Sequence, residues 1–400
     1  MDISSRVTNH LKKICEPGSR PIGSAANHKA AAYIQEVFLT CGLVVHEQEF
    51  ACPHWQLTRT ELVANGKPLQ AEANTFSPPC NVTAPCVPVG TIQELESAVL
   101  TGRIALLYGE LTKKRLEPKE CKVYSPKRDQ KIVRLLEEKN PQAIITVTPQ
   151  IHAVVPVIED WDLLIPSVTV SPDVGLQLMN VKQPVRVVVV SHRDKSHGSN
   201  IIGTKGTRER IVLCAHYDTK VKTQGAFDNG SGVAVLLTLA ELLTQRELAT
   251  NLEFIAFNDE EYNGLGDYEY VRHTSEFESI HAVINIDGVG HFLGSHTVTI
   301  MENSQALRDV VSSTKEKYPG IVWVDPWPQS NHSTFSRRGV PSMAVSSVGV
   351  DIAHSPLDTV ERISADKLAE VVMFITDIVD ASDDKPLAWF RKSKKEGTDK

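Results

Sequence analysis

The chain has 400 residues, of which 41% are hydrophobic and 23% charged, which is typical of a globular protein that can form two hydrophobic cores. Its formal net charge of -7 argues against a broad basic surface, so we expect neither a nucleic-acid partner nor a membrane partner. The seven cysteines form no CxxC pair, and an odd number cannot all be bridged within one chain. Since no apolar secretory signal is expected either, these features predict a cytoplasmic protein with reduced thiols.

The first half of the chain contains two kinds of pattern. An apolar helical period predicts a helix over residues 24–41, which ends at Gly42 and is followed by a short strand. From residue 55 to residue 183, short β-branched runs alternate with Pro and Gly, with one helical stretch at 129–139. We therefore predict an inserted β-rich domain over 55–183.

Strands and helices alternate through the second half of the chain. Apolar runs such as IVLCAH, LEFIAF and HAVINI are separated by helical stretches, and a long helix is predicted at 365–378. This alternation predicts an α/β fold with a mixed, mostly parallel sheet. In such sheets ligands bind beyond the carboxyl ends of the strands.

Acids and histidines stand where several of these predicted strands end, so a single site could collect them. Zn²⁺ binds imidazole nitrogen and carboxylate oxygen, and two zinc ions about 3.5 to 4 Å apart can activate a water molecule and polarise a carbonyl. The candidate residues of such a site are His216, Asp218, Asp228, Glu260, Glu261, Asp287 and His354.

Charge balance gives the acidic candidates different roles. Two Zn²⁺ ions carry four positive charges, and three carboxylate ligands leave about one unit to favour a bound hydroxide. A fourth carboxylate ligand would remove that surplus. One of the adjacent acids Glu260 and Glu261 should therefore stay off the metal and transfer protons, and charge alone does not decide which one.

Six segments of the chain resemble, in order, the motifs of the M28 family of zinc aminopeptidases. They are AHYDT, GAFDNGSG, FNDEE, NIDGVG, NHSTFSRRGVPS and HSPLDT, and they cover residues 200–380. The segment PGSRPIGSAANHKAAAYIQ is similar to the opening helix of the family, and the β-rich part is similar to the protease-associated (PA) domain often inserted there. The resemblance implies a three-layer, zinc-exopeptidase-like fold with helices on both faces of the sheet.

The resemblance also implies a domain organisation and an activity. The activity would be hydrolysis of N-terminal peptide bonds of a peptide substrate, with two Zn²⁺ per chain and a bridging hydroxide as the nucleophile. The oligomeric state is not indicated. The expected parts are a catalytic domain at 1–54 and 184–388, a PA-like domain at 55–183 and a basic tail at 389–400.

Metal ligands follow from the resemblance position by position. His216 and Asp287 would bind one zinc ion, while Glu261 and His354 would bind the other. Asp228 would bridge the two ions. Without this context, a turn followed by a helix N-cap would be the preferred interpretation of Asp228 and the residue after it.

Other roles are implied for residues beside the ligands. Glu260 would be the general base, and Asp218 would orient the imidazole of His216. His332 would lie near the substrate, although Asn331 replaces the aspartate of the family motif.

Several acids and histidines receive no role from the sequence. The acidic run that includes Asp259 is typical of a solvated loop, and the same interpretation applies to Glu253, Asp267 and Glu269. Four histidines are left out of the site, namely His273, His281, His291 and His296.

Alternatives to an aminopeptidase stay open. A carboxypeptidase or aminoacylase-like hydrolase could use the same donors on C-terminal or blocked substrates. A glutaminyl cyclase would use a single zinc ion, and an inactive homologue could serve as a binding protein.

Overall fold

A computed structural model of the protein divides the chain into two compact units. The first unit comprises Met1–Cys52 and His197–Lys400, and the second unit comprises Pro53–Ser196. The structure describes residues 2–121, 126–150, 154–206, 209–349 and 352–392.

The elements are named in chain order. The strands are β1 (Val44–Ala64), β2 (Lys67–Leu69), β3 (Glu72–Ala73), β4 (Cys80–Ala84), β5 (Cys86–Val89), β6 (Ile104–Leu107), β7 (Ala143–Val147), β8 (Ser167–Val170), β9 (Val185–Lys205), β10 (Arg210–His216), β11 (Asn251–Phe257), β12 (Ile280–Ile286), β13 (Ser295–Met301), β14 (Ile321–Trp323) and β15 (Ser342–Val348). The helices are α1 (Ile3–Cys15), α2 (Ala25–Thr40), α3 (Ile92–Ser97), α4 (Lys127–Lys139), α5 (Pro172–Met179), α6 (Ser231–Leu243), α7 (Leu265–His273), α8 (Gln305–Glu316), α9 (His332–Ser336), α10 (Ala365–Ser382) and α11 (Leu387–Phe390).

The first unit is built on a mixed sheet. Its strands follow the order β14-β13-β15-β12-β10-β11-β9-β1. The pairs β15–β12, β12–β10 and β10–β11 are parallel, whereas β13–β15 and β9–β11 are antiparallel. The predicted α/β fold with a mixed sheet is therefore confirmed.

Helices cover both faces of this sheet. Leu213 of β10 belongs to the same apolar cluster as residues of α1, α2, α6, α8 and α10. Its neighbour Val212 packs in a different cluster, with Tyr270 of α7 and Phe335 of α9. Because successive side chains of a strand point to opposite faces, the two clusters lie on opposite sides of the sheet.

Helix α6 is central to the first of these clusters. Within the part of the chain that the structure describes, one window, Ala226–Leu243, is long and apolar enough to cross a membrane. This corrects the sequence-based expectation that no run of about 18 apolar residues occurs in the chain. Since 83% of the window is buried inside the fold, its composition is also that of a buried core helix.

The second unit contains more helix than the sequence pattern predicted. Its five-stranded sheet has the order β3-β8-β7-β6-β5, in which β5 to β8 are parallel. Helices α3 and α5 were missed beside the predicted α4. Both carry local start signals, a capping box at Thr91 and an N-cap at Ser171 followed by a proline, but each helix has eight residues or fewer. Short helices between Pro- and Gly-rich segments are difficult to separate from loops by periodicity alone.

Strand β9 is longer than its composition suggests. The segment 194–200, DKSHGSN, is rich in turn-forming residues, but β9 continues without interruption through it. β9 pairs with β4 at Val189 and with β11 at Ile202, so its backbone groups are satisfied along both parts. The units therefore divide after Ser196, later than the expected boundary at 183/184.

The predicted start of the C-terminal tail, at residue 389, is also too early in the chain. Phe390 is fully buried, and its ring centroid lies 4.7 Å from that of His281. The guanidinium of Arg391 donates to the carbonyl oxygens of Gly339 and Ile280. Residues 389–391 therefore belong to the folded first unit because apolar and hydrogen-bonding partners hold them there, whereas 393–400 lie outside the described residues.

Candidate metal centre

The predicted ligands lie at one edge of the sheet. Strands β15, β12, β10 and β11 are adjacent and parallel, so their carboxyl ends share that edge. His216 is the last residue of β10, and Asp287 directly follows β12. Glu261 and His354 come from the loops after β11 and β15.

One group of three possible metal ligands contains His216, Asp228 and Asp287. Their ligand atoms lie within 4.8 Å of one another. His216 Nε2 is 3.3 Å from Asp228 Oδ1 and 3.4 Å from Asp287 Oδ1. These three side chains surround a space that could hold one cation.

A second group consists of Asp228, Glu261 and His354, again with ligand atoms within 4.8 Å of one another. His354 Nε2 lies 3.0 Å from Asp228 Oδ2 and 3.0 Å from Glu261 Oε2. Asp228 is shared by the two groups. Its Oδ1 faces His216 and its Oδ2 faces His354, which is the geometry a bridging carboxylate needs.

The two adjacent glutamates have different surroundings. Glu260 belongs to neither group of three; its Oε2 lies 3.9 Å from His216 Nε2 and its side chain is 21% exposed. The side chain of Glu261 is only 3% exposed. Glu260 is thus close to the possible ligands and more open to solvent, as a proton-transfer group requires.

Asp218 lies behind these groups and is fully buried. Its Oδ1 is 3.4 Å from His216 Nδ1 and accepts a hydrogen bond from the backbone N–H of Glu260 at 3.2 Å. Its Oδ2 accepts from the backbone N–H of Glu261, also at 3.2 Å. A single carboxylate therefore lies beside the His216 ring and binds the backbone of the loop that carries both glutamates.

The electrostatics of the site fit a bound cation. Burial opposes protonation of His354, but Glu261 and Asp228 outweigh it and raise the pKa of its imidazole to about 10. Burial also opposes protonation of His216, yet Asp287 and Glu260 raise its pKa well above the ordinary value. The clustered carboxylates therefore stabilise a positive charge between them, and that charge can be a proton on a histidine or a metal ion.

The unsatisfied atoms of His216 support the same conclusion. Neither ring nitrogen of this buried side chain has a well-aligned hydrogen bond among the described residues. A buried polar atom without a partner is costly, whereas a metal ion would satisfy Nε2. Imidazole and carboxylate donors together suit zinc.

Two residues that position Asp228 were missed by the sequence interpretation. The buried carboxylate of Asp358 accepts from the backbone N–H groups of Phe227 at 2.5 Å and of Asp228 at 3.0 Å. Burial raises the pKa of Asp358 to about 7. Asn229 donates to the carbonyl oxygen of Ile286, at the end of β12, over 2.8 Å. Asp358 lies within the motif HSPLDT and Asn229 within GAFDNGSG. Their place in these two motifs is the sequence feature from which their roles could have been predicted.

Asp228 is not a helix cap. The N-cap of α6 is Gly230, without a side-chain hydrogen bond, and the helix begins at Ser231. The carboxylate of Asp228 is directed to the histidines, whereas Asn229 Oδ1 accepts from the backbone N–H of Gly232 at 2.9 Å, so the cap-type hydrogen bond belongs to Asn229 alone.

Three acids that were expected in solvated loops are buried. Asp259 is fully buried in the turn after β11, and Glu253 lies inside β11, where it pairs with Arg210 at 2.5 Å. Asp267 accepts hydrogen bonds from Thr334 Oγ1 at 2.5 Å and from Asn331 Nδ2 at 2.7 Å. For Glu253 and Asp267 the prediction failed because their partners come from other elements, whereas Asp259 accepts from the nearby backbone N–H of Leu265 at 3.2 Å.

His332 lies outside both groups of possible ligands. Its buried ring donates from Nε2 to the carbonyl oxygen of Trp327 at 2.8 Å, and burial lowers its pKa. Its predicted contact with substrate stays a prediction.

Of the histidines left out of the site, His281 pairs with Glu209 and His296 pairs with Glu370, so neither of them contacts the possible ligands through these pairs.

Comparisons with known proteins agree with this fold. Residues 200–379 match the family model described as Peptidase family M28. Aminopeptidase YwaD of Bacillus subtilis (strain 168) is 26% identical over 398 residues, covering 90% of this chain and 80% of that protein.

Solved structures share the fold along nearly the whole chain. An aminopeptidase from Aneurinibacillus sp. strain AM-1 superposes with a TM-score of 0.76 at 24% identity, covering 95% of each chain. BSAP, a zinc aminopeptidase from Bacillus subtilis, superposes with a TM-score of 0.77 at 22% identity, covering 98% of this chain and 99% of its own.

The donor set at the carboxyl ends of parallel strands is typical of a metal-dependent hydrolase. The family match covers residues 200–379, which include every possible ligand of both groups, and it supports a zinc aminopeptidase similar to those of family M28.

Proposed function

We propose that the protein is an aminopeptidase whose centre holds two zinc ions. The observation that carries this proposal is the pair of donor groups that share Asp228. His216 and Asp287 would complete one zinc site, and Glu261 and His354 the other.

The coarser assignment has independent support. The family match and the curated aminopeptidase relative support the activity, and the buried imidazole and carboxylate donors support zinc. The protein is thus a zinc-dependent aminopeptidase similar to those of family M28. The number of ions and the role of each residue belong to the proposal.

Zinc bound there would lower the pKa of a water molecule and polarise the scissile carbonyl. Residues of the chain would carry out the proton transfers. Glu260, half-buried beside the ligands, would accept a proton from the attacking water and later donate it to the departing amine. Burial raises the pKa of Glu260 well above its ordinary value, and Asp287 adds to this while His216 opposes it. A raised pKa suits a group that must both accept and release a proton near neutral pH.

The proposed substrate is a peptide with a free N-terminal amine. The surplus of carboxylates around Glu260 would attract an ammonium group, which a blocked peptide lacks. The cytoplasmic location also stays a proposal.

Metal analysis and a substrate panel test this function together. We expect about two zinc ions per chain and hydrolysis of aminoacyl amides that is lost when the amine is acetylated. Faster hydrolysis of acetylated or C-terminal substrates would favour the aminoacylase or carboxypeptidase alternative. One zinc ion per chain with cyclisation of N-terminal glutamine would favour a glutaminyl cyclase, and full metal content without any hydrolysis would favour an inactive homologue.

A further inference from the structure

A buried lysine lies beside the metal centre. Lys220 belongs to the loop between β10 and α6 and is only 4% exposed. Lysine is rarely buried because its ammonium loses hydration, so the surroundings of its Nζ must compensate. Here Nζ lies 3.9 Å from the ring centroid of Tyr262 and donates to the backbone carbonyl oxygen of Glu261.

The ammonium also faces a proposed metal ligand. Lys220 Nζ is 3.8 Å from Glu261 Oε2. The same oxygen lies 3.0 Å from His354 Nε2, inside the group formed by Asp228, Glu261 and His354. A cation bound by that group would therefore share the Glu261 carboxylate with a second positive charge.

Two opposite effects follow from this position. Without metal, the ammonium neutralises one of several clustered carboxylates and holds the Glu261 backbone in place. With metal, like charges lie close together where few water molecules screen them, so the ammonium repels the ion. The repulsion depends on the positive charge of Lys220. The hydrogen bond to the Glu261 carbonyl oxygen, in contrast, could also be made by a neutral donor.

We propose that Lys220 is a positioning residue that weakens zinc binding by the Asp228, Glu261 and His354 group, so that the second zinc ion binds less tightly than the first. This inference rests on the proposed two-zinc function. Nothing in it requires Lys220 to contact the substrate.

Zinc titration of the metal-free, full-length protein tests the inference. Zn²⁺ alone is added in competition with a chromophoric chelator, and the dissociation constants of both ions are obtained. In Lys220→Met and Lys220→Gln we expect the dissociation constant of the weaker ion to fall about tenfold or more, because one unit of like charge is removed from a buried site. The constant of the tighter ion should change much less.

Matched variants separate charge from other effects. Lys220→Arg keeps the charge and should keep the weak second site. Lys222→Met removes the same charge from an exposed position two residues further along the loop and should leave both constants within about twofold. Lys220→Gln keeps a hydrogen-bond donor for the Glu261 carbonyl, so it carries the charge test even if Lys220→Met does not fold.

An unchanged or larger dissociation constant for the weaker ion in Lys220→Gln would overturn the inference. Failure of the proposed function would give a different result, because the unaltered protein would then bind fewer than two zinc ions.

Thermal unfolding of the metal-free proteins gives a readout independent of activity. Lys220→Met should unfold at a lower temperature than the parent, since the clustered carboxylates lose a neutralising charge.

Discussion

At the scale of single residues, two neighbouring glutamates have come to occupy different environments. The carboxylate of Asp218 accepts the backbone N–H groups of both Glu260 and Glu261, which fixes the turn between them. Glu261 is thereby directed to His354, while Glu260 stays outside both donor groups. Chemically identical side chains can thus serve as ligand and as base because the backbone separates them.

Replacement of Glu260 by glutamine tests this division. The amide keeps the shape of the side chain but cannot accept the proton, so turnover on an aminoacyl amide should fall by at least about a hundredfold. Zinc content, measured on the same sample, should stay at the parental level because Glu260 is not among the possible ligands.

Glu261→Gln is the matched control for that experiment. It makes the same chemical change one residue further on, and we expect it to lose zinc together with activity. Full turnover in Glu260→Gln, or equal zinc loss in the two variants, would show that the two roles are assigned wrongly.

At the scale of elements, the loop from β10 to α6 determines where Asp228 lies. Asp358 accepts two backbone N–H groups at the end of this loop. On the other side, the fully buried guanidinium of Arg20 donates to the carbonyl oxygens of Tyr217, Gln224 and Gly225. Chain segments far apart in sequence therefore hold a loop whose regular structure is limited to one irregular π-type turn at Ala226–Gly230.

Replacement of Asp358 by asparagine should loosen that loop. The carboxylate of Asp358 offers one oxygen to each of two backbone N–H groups, whereas an amide has only one oxygen. One N–H would therefore face an NH₂ group and lose its hydrogen bond. Loss of a buried hydrogen bond costs about 1 to 3 kcal/mol. We expect a lower unfolding free energy in urea and weaker zinc binding.

A comparable carboxylate away from the site provides the control. Asp383 accepts from the backbone N–H groups of Ala249 at 3.1 Å and Thr250 at 2.9 Å, but it is partly exposed. Asp383→Asn should change stability less and leave zinc affinity unaltered. If both variants bound zinc like the parent, Asp358 would have no role in placing Asp228.

At the scale of the whole molecule, helix packing in the first unit buries a histidine whose ionisation couples stability to pH. His10 of α1 contacts the Tyr33 hydroxyl of α2 at 2.8 Å and Glu241 of α6 at 3.3 Å. Burial lowers the pKa of His10 below its ordinary value, although Glu241 opposes the shift and Arg6 adds to it.

The sign of the pH dependence follows from that direction. Below about pH 6.5 the unfolded chain binds a proton at His10 before the folded protein does, so this group contributes stability at neutral pH that is lost as the pH falls. His10→Gln should therefore lose less unfolding free energy than the parent between pH 7 and pH 5, as measured by urea unfolding. His273→Gln changes an exposed histidine and should retain the parental slope; an equal slope in His10→Gln would contradict the assignment.

The sequence by itself was sufficient for the α/β alternation and for the seven acids and histidines that converge on one edge. Strand periodicity and residues at strand ends are local properties, and parallel strands necessarily bring their carboxyl ends together. Candidates at strand ends, such as His216 and Asp287, could therefore be selected before any contact was known, whereas Asp228 depended on the resemblance to the M28 motifs.

Only the tertiary structure decided features that depend on distant partners. Asp267 is buried because Asn331 and Thr334 satisfy it, and Lys220 lies against Glu261 because two loops meet. Likewise, β9 runs through a turn-like segment because β4 and β11 supply its hydrogen bonds. Burial and ion pairing are properties of the assembled chain, since they depend on which surfaces exclude water together, and no local pattern encodes that choice.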